Sequence, residues 1–150
     1  MYNNIFTKLS KLINKNREEL SKILYKKDGT VVATNLYVLA EIKTNIDFEE
    51  SVLLDAEIKD NEKPYNYICK DIDVKKYPDY QIAFPTGEIK AEVKVNVKLL
   101  KDLLNVFENT DDIDISLYGD NKAVVINKVF QAKNKNPFVI KGLIMPIKKD

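Results

Sequence analysis

Ile89-Lys90-Ala91-Glu92-Val93-Lys94-Val95-Asn96-Val97-Lys98-Leu99-Leu100-Lys101-Asp102-Leu103-Leu104-Asn105-Val106-Phe107 opens the part of the chain that decides the fold, and Leu143-Ile144-Met145-Pro146-Ile147 closes it. Ile89, Ala91, Val93, Val95 and Val97 share one face, and Lys90, Glu92, Lys94 and Asn96 the other, which is the period-two pattern of a strand with one wet side. The period then becomes helical: Leu99, Leu100, Leu103, Leu104 and Phe107 recur at helix spacing while Lys98, Lys101 and Asn105 project away from them. The spacing predicts a strand over 89–97 and a helix over 97–108. Beyond it, 113–118 and 123–128 read as two strands joined at Gly119-Asp120-Asn121, 134–137 as a polar loop, and 138–147 as a final strand whose Pro146 suits a sheet edge. None of these segments is a catalytic motif, so the expectation is binding through a shaped surface.

Working back to the amino terminus, Ile5, Leu9, Leu12 and Ile13 predict an amphipathic helix from about Asn4 to near Asn16. A strand over 20–25, a turn at Lys27-Asp28-Gly29 and a β-branched return over 30–34 make a hairpin, with a third strand over 36–43. Between these two rounds, 52–59 and 65–74 read as strands separated by Pro64, and Tyr77-Pro78-Asp79-Tyr80 begins an extended piece ending at Pro85, before Thr86-Gly87 turns the chain into 89–97. The theme of a helix followed by antiparallel strands therefore occurs twice. The fold class expected is α+β, an antiparallel sheet with two helices packed on one side.

The chain has 150 residues, 45% of them hydrophobic, enough for one ordinary domain core. Its 24 basic and 23 acidic side chains nearly cancel, so any polyanion-binding surface must be local. With one cysteine, Cys69, there is no internal disulfide; an inert thiol in a reducing compartment is the simplest reading. No apolar run approaches the roughly 18 residues of a membrane helix, and the amino terminus lacks a signal-peptide pattern, which points to a cytoplasmic protein.

Several of these residues resemble the bacterial DNA sliding clamps that tether the replicative polymerase. Asn96-Val97-Lys98-Leu99-Leu100-Lys101-Asp102-Leu103-Leu104 is similar to the helix of the last clamp domain, and Met145-Pro146-Ile147 to its Met-Pro-Met-like end. Asp28-Gly29 with Ala33-Thr34-Asn35 resembles the family's Asp-Gly turn and return strand, and Tyr77-Pro78-Asp79-Tyr80 its Phe-Pro-Asp-Tyr segment. The resemblance implies one clamp-like domain over 1–150, with halves of about 1–85 and 86–150. Family clamps carry three such domains per chain, so encircling DNA would require identical copies to assemble, most simply six in a closed ring.

The resemblance further implies helices that meet duplex phosphates without reading sequence, through Lys8, Lys11 and Lys15 on the first and Lys98 and Lys101 on the second. Solvated helix faces are also lysine-rich, and Asp102 interrupts the second group. It implies an apolar peptide cleft, too, taking segments of a polymerase or another replication protein, with Leu143, Met145, Pro146 and Pro85 in its wall. The same side chains would equally serve as core or edge-strand residues. No cofactor and no metal is implied. One rival class is an interaction module that keeps the clamp fold without binding DNA.

An enzymatic alternative rests on Pro78-Asp79 followed by Glu88-Ile89-Lys90, the spacing of Mg²⁺-dependent nucleases in which carboxylates hold the metal and a lysine supports the attacking water. Glu-Ile-Lys recurs at Glu41 and Glu57, as chance allows in a chain rich in both charges. Other catalysis finds little support: histidine, the commonest general base, is absent, and the four glycines form no phosphate loop. Asp111-Asp112 and Asp71-x-Asp73 read as a turn and a strand's wet face.

Overall fold

The computed structural model describes residues 5–45, 48–59, 62–108, 110–130 and 138–147. The chain is α+β with antiparallel sheets, and its strands divide between two sheets rather than forming one. It separates into two compact units, Met1–Phe84 and Pro85–Asp150.

In the first unit α1 (Ile5–Leu9) precedes β1 (Lys22–Tyr25), β2 (Thr30–Thr34), β3 (Leu39–Lys43), β4 (Val52–Asp55) and β5 (Ile68–Cys69), ordered β3-β2-β1-β4-β5. Every residue of β2 is buried, because both faces of this sheet are covered. Ile23, Tyr25, Val31, Ala33 and Leu54 point to one side, where Leu9 and Phe48 join them and Ile5 and Phe6 of α1 pack. Their strand neighbours Leu24, Val32 and Leu53 point to the other, under Leu20, Ile72, Tyr77 and Tyr80. The Tyr-Pro-Asp-Tyr piece is thus a lid on the second face, with Tyr77 donating a 3.4 Å hydrogen bond to the Val32 carbonyl.

Several expected elements are shorter than the periodicity suggests, and side-chain acceptors are the reason. Expected to run to about Asn16, the first helix leaves α geometry after Leu9 and ends in a tighter turn at Ser10–Leu12. Asn14 then offers its side-chain oxygen to the Asn16 amide at 3.0 Å and its carbonyl to Arg17, closing a local turn that competes with helix. The expected strand over 65–74 shrinks to Ile68–Cys69, since Pro64 starts a 3₁₀ turn and Asp73 caps another by accepting from the Lys75 amide. Asp79 does the same for Tyr80–Ala83, in the piece expected to be extended. The strand expected over 52–59 ends at Asp55.

The Asp28-Gly29 turn forms as read. Lys26 and Thr30 close the hairpin (2.7 Å), Gly29 takes φ of 81°, and the Asp28 carboxylate accepts from the Thr30 amide at 3.0 Å. Hydrogen bonding from Thr30, with Lys43 nearby, holds the Asp28 carboxyl down to about 2. A carboxyl with a depressed folded pKa adds stability that is complete above its unfolded value of about 4 and disappears as pH falls through about 2. A side-chain NMR titration should therefore place Asp28 near 2, and Asp28→Ala should flatten the acid dependence of unfolding in that window.

The second unit contains α2 (Val97–Asn105), β6 (Asp114–Leu117), β7 (Val124–Phe130) and β8 (Phe138–Ile144), in the sheet order β6-β7-β8. Asn96 caps α2, its side-chain oxygen accepting from the Lys98 and Leu99 amides at 2.9 and 3.1 Å. The helix seats Leu103 directly on Gly142 of β8, and Val124, Ile126, Ile144 and Phe107 are buried. Leu99 and Leu104, expected on the apolar face, are 56% and 38% exposed. Ile115 and Leu117 share a sheet face with Ile126 and Val124 through direct pairing, yet stand exposed on the edge strand. One helix is too narrow to roof three strands.

Residues 91–96 keep their expected alternation, Ala91, Val93 and Val95 half-buried and Glu92, Lys94 and Asn96 exposed, but Ile89 and Val97, expected on the same apolar face, are 74% and 65% exposed, and the segment forms no strand. Among the described residues their backbone link to β8's continuation is the Ile147 amide on the Lys94 carbonyl, 2.7 Å. The expected loop at 134–137 lies outside the described residues.

Candidate functional site

A cleft of about 380 Å³ opens in the first unit between the β2–β3 turn and the Pro78–Ala83 segment. Leu36, Tyr37 and Val38 form one wall, Pro78, Ile82 and Ala83 the other, with Leu39 and Tyr80 between them. Tyr37 is 95% and Ile82 83% exposed, so large apolar side chains here face water.

The turn that presents them is held by side chains. Thr34 Oγ1 accepts from the Leu36 amide at 3.0 Å and donates to the Val38 carbonyl at 2.8 Å. Asn35 Oδ1 accepts from the Tyr37 and Val38 amides at 3.0 and 2.9 Å. These bonds fix Leu36 at φ of 79°, a left-handed conformation that costs a leucine about 1 kcal/mol or more. Leu36→Gly removes that strain and part of one wall of the cleft together. Chemical denaturation should show stability unchanged or raised by about 1 kcal/mol, while any ligand of the cleft binds more weakly.

Tyr80 is buried beneath the cleft, and its hydroxyl has no hydrogen bond of good geometry among the described residues. Burial first, and the Glu41 carboxylate second, push that hydroxyl well above the usual phenol range. The Lys26 ammonium lies 5.8 Å from the centre of its ring. Burial likewise pushes Tyr77 up to about 12. Among the described residues Asp79 is the one acidic side chain in the cleft lining, which holds no basic one.

The lysines expected to meet DNA are all exposed, but not all on helices. Lys8 is on α1, Lys11 in the following 3₁₀ turn, and Lys15 beyond both, so the expected three-lysine helical stripe is corrected to two residues and a loop neighbour. Lys15 borders a polar pocket of about 550 Å³ with Ser10, Lys22, Asp55 and Glu57. There Lys22 is paired with Asp55, whose hydrogen bond raises its pKa. Lys98 and Lys101 lie three apart on α2, with exposed Asp102 beside them.

Leu143 and Met145, expected in a peptide-binding wall, are 57% and 67% exposed. Leu143 faces away from α2, since Gly142 faces it. Pro146 is half-buried beside them and Pro85 exposed. The cleft in the first unit escaped the sequence reading, although Leu36-Tyr37-Val38, three apolar residues directly after Thr34-Asn35, was a signal for it.

Asp79 of the nuclease reading caps a turn, and Glu88 and Lys90 form an exposed pair 3.8 Å apart. Among the described residues no group of three or more His, Cys, Asp or Glu is placed to hold a metal ion, and no helix is long and apolar enough to cross a membrane. Comparison with protein-family models, curated proteins and solved structures finds no match.

Proposed function

We propose that this chain is a non-enzymatic, sliding-clamp-like binding domain that holds duplex DNA electrostatically and captures a peptide of a replication protein. What carries this reading is the plan common to both units, a short helix packed on the antiparallel strands that follow it, α1-β1-β2-β3 and then α2-β6-β7-β8. Each helix, with the turn after α1, adds exposed lysines: Lys8 and Lys11 in one unit, Lys98 and Lys101 in the other. Such contacts bind phosphates without sequence preference and weaken with salt. Peptide capture is supported by the cleft of Leu36, Tyr37, Val38 and Ile82, and by the exposure of Leu143 and Met145. The assembly that would surround DNA is a homo-oligomer of identical copies.

The test is native mass by sedimentation, with and without duplex DNA, followed by retention on circular and linearised DNA. A clamp gives a defined oligomer retained on the circle and lost from the cut molecule. Changing Lys98 and Lys101 to Glu should lower the salt dependence of DNA binding by about one unit per lysine. A monomer that ignores DNA at low salt but still binds peptide would leave the interaction-module reading, which a net charge of +1 tolerates.

A further inference from the structure

β3 is the outermost strand of the five-stranded sheet. The direction of its peptide groups follows from three hydrogen bonds and the register. Asn35 N–H donates to Val38 O, and Thr44 N–H to Gly29 O, and both pairs lie on the register that sets Thr30 opposite Lys43. On the other side of β2, Lys26 N–H donates to Thr30 O in register with Leu24 opposite Val32. In an antiparallel ladder the bonded residues alternate. Ala40 and Ile42 therefore turn their N–H and C=O toward β2, while Leu39, Glu41 and Lys43 turn theirs outward. Among the described residues these outward groups meet no strand, and an unpaired row of this kind is a template for an added one.

Leu39, Glu41 and Lys43 also share a sheet face. Their register partners include Val32, which lies in the cluster with Tyr77 and Tyr80, so this face is the one that carries the cleft. Leu39 belongs to both edge and cleft. Lys43 already has a partner in Asp28, whereas Glu41 and Asp79 enter no ion pair among the described residues. The open charge along this edge is acidic.

We propose that the cleft takes its peptide by strand addition: an extended, basic and apolar segment pairs antiparallel with β3, a Lys or Arg opposite Glu41 and an apolar residue opposite Leu39, its side chain entering the cleft. Residues in directly bonded pairs project to the same face as their partners, which gives the recognised pattern as basic, any residue, apolar. The backbone bonds supply binding, and the two side chains supply choice. This inference rests on the peptide-capture part of the reading above and is independent of DNA.

A displayed library of random decapeptides, panned against the full chain, tests it. Enrichment of basic-x-apolar sequences, lost on counter-panning against Ile82→Asp, is the result expected; both Ile82 and Glu41 are exposed, so their variants keep the fold. For one enriched peptide, hydrogen exchange should slow at the amides of Leu39, Glu41 and Lys43 and stay unchanged at Ala40 and Ile42. N-methylating its alternate amides should weaken binding at least tenfold, as should Glu41→Lys. Acidic enrichment, apolar residues at spacings of three and four, or unchanged exchange at the three outward amides would overturn strand addition while leaving peptide capture standing. No enrichment that Ile82→Asp abolishes would overturn both.

Discussion

Tyr25→Ala is expected to cost the fold about 4 kcal/mol. Tyr25 is fully buried at the centre of the first unit, on the middle strand of its sheet. Its ring lies 4.4 Å from that of Phe48, tilted by 53°, and Phe48 in turn meets Tyr65 at 4.8 Å. The hydroxyl sits 2.6 Å from Thr44 Oγ1. Because Thr44 donates its own proton to the Gly29 carbonyl at 2.8 Å, Tyr25 is the donor between them. Removing the ring leaves a cavity below α1 and unseats Phe48. Tyr25→Phe keeps the packing and loses the hydrogen bond to Thr44, for about 1 kcal/mol. Urea melts of the two variants separate these contributions, and equal losses would place the stabilisation in the hydroxyl instead of the ring.

Gly142→Val is expected to destabilise the second unit by about 1–3 kcal/mol, and Leu103→Ala to suppress much of that loss. A Cβ at Gly142 would stand 2.5 Å from Leu103 Cδ1, closer than two carbons can lie. The glycine leaves room for the Leu103 side chain of α2, which must shift if a Cβ is added, and valine is otherwise a favoured strand residue. In a double-mutant cycle by denaturant melting, the pair should couple by about 1 kcal/mol or more. Strict additivity would mean that α2 does not rest on β8 at this point.

The chemistry of these positions was unevenly legible in the sequence. The Asp-Gly hairpin, the helix at Val97 and the β6–β7 hairpin across Gly119-Asp120-Asn121 follow from local rules, because turn geometry and apolar period act over a few residues. The cleft did not follow. It needs Leu36 in a left-handed conformation, imposed by Thr34 and Asn35, and it needs Pro78–Ala83, more than forty residues away, folded into a turn by Asp79. The lysine stripe differs for a related reason: the chain is extended from Ile13, and beyond it Asn14 closes a turn on Asn16 and Arg17 in place of helix, which apolar spacing cannot register.

By itself the sequence determined the α+β class, the succession of α1, β1, β2 and β3, the strands that follow α2 and the absence of histidine chemistry, since period, turns and composition are local properties. Only the tertiary structure decided that there are two sheets, that the first is covered on both faces, and that β3 is left as a free edge beside an apolar cleft. The physical reason lies in pairing. A strand's pattern states which side chains want burial, but not what will cover them or which backbone groups will remain unpaired, and those follow only when distant segments compete for the same face.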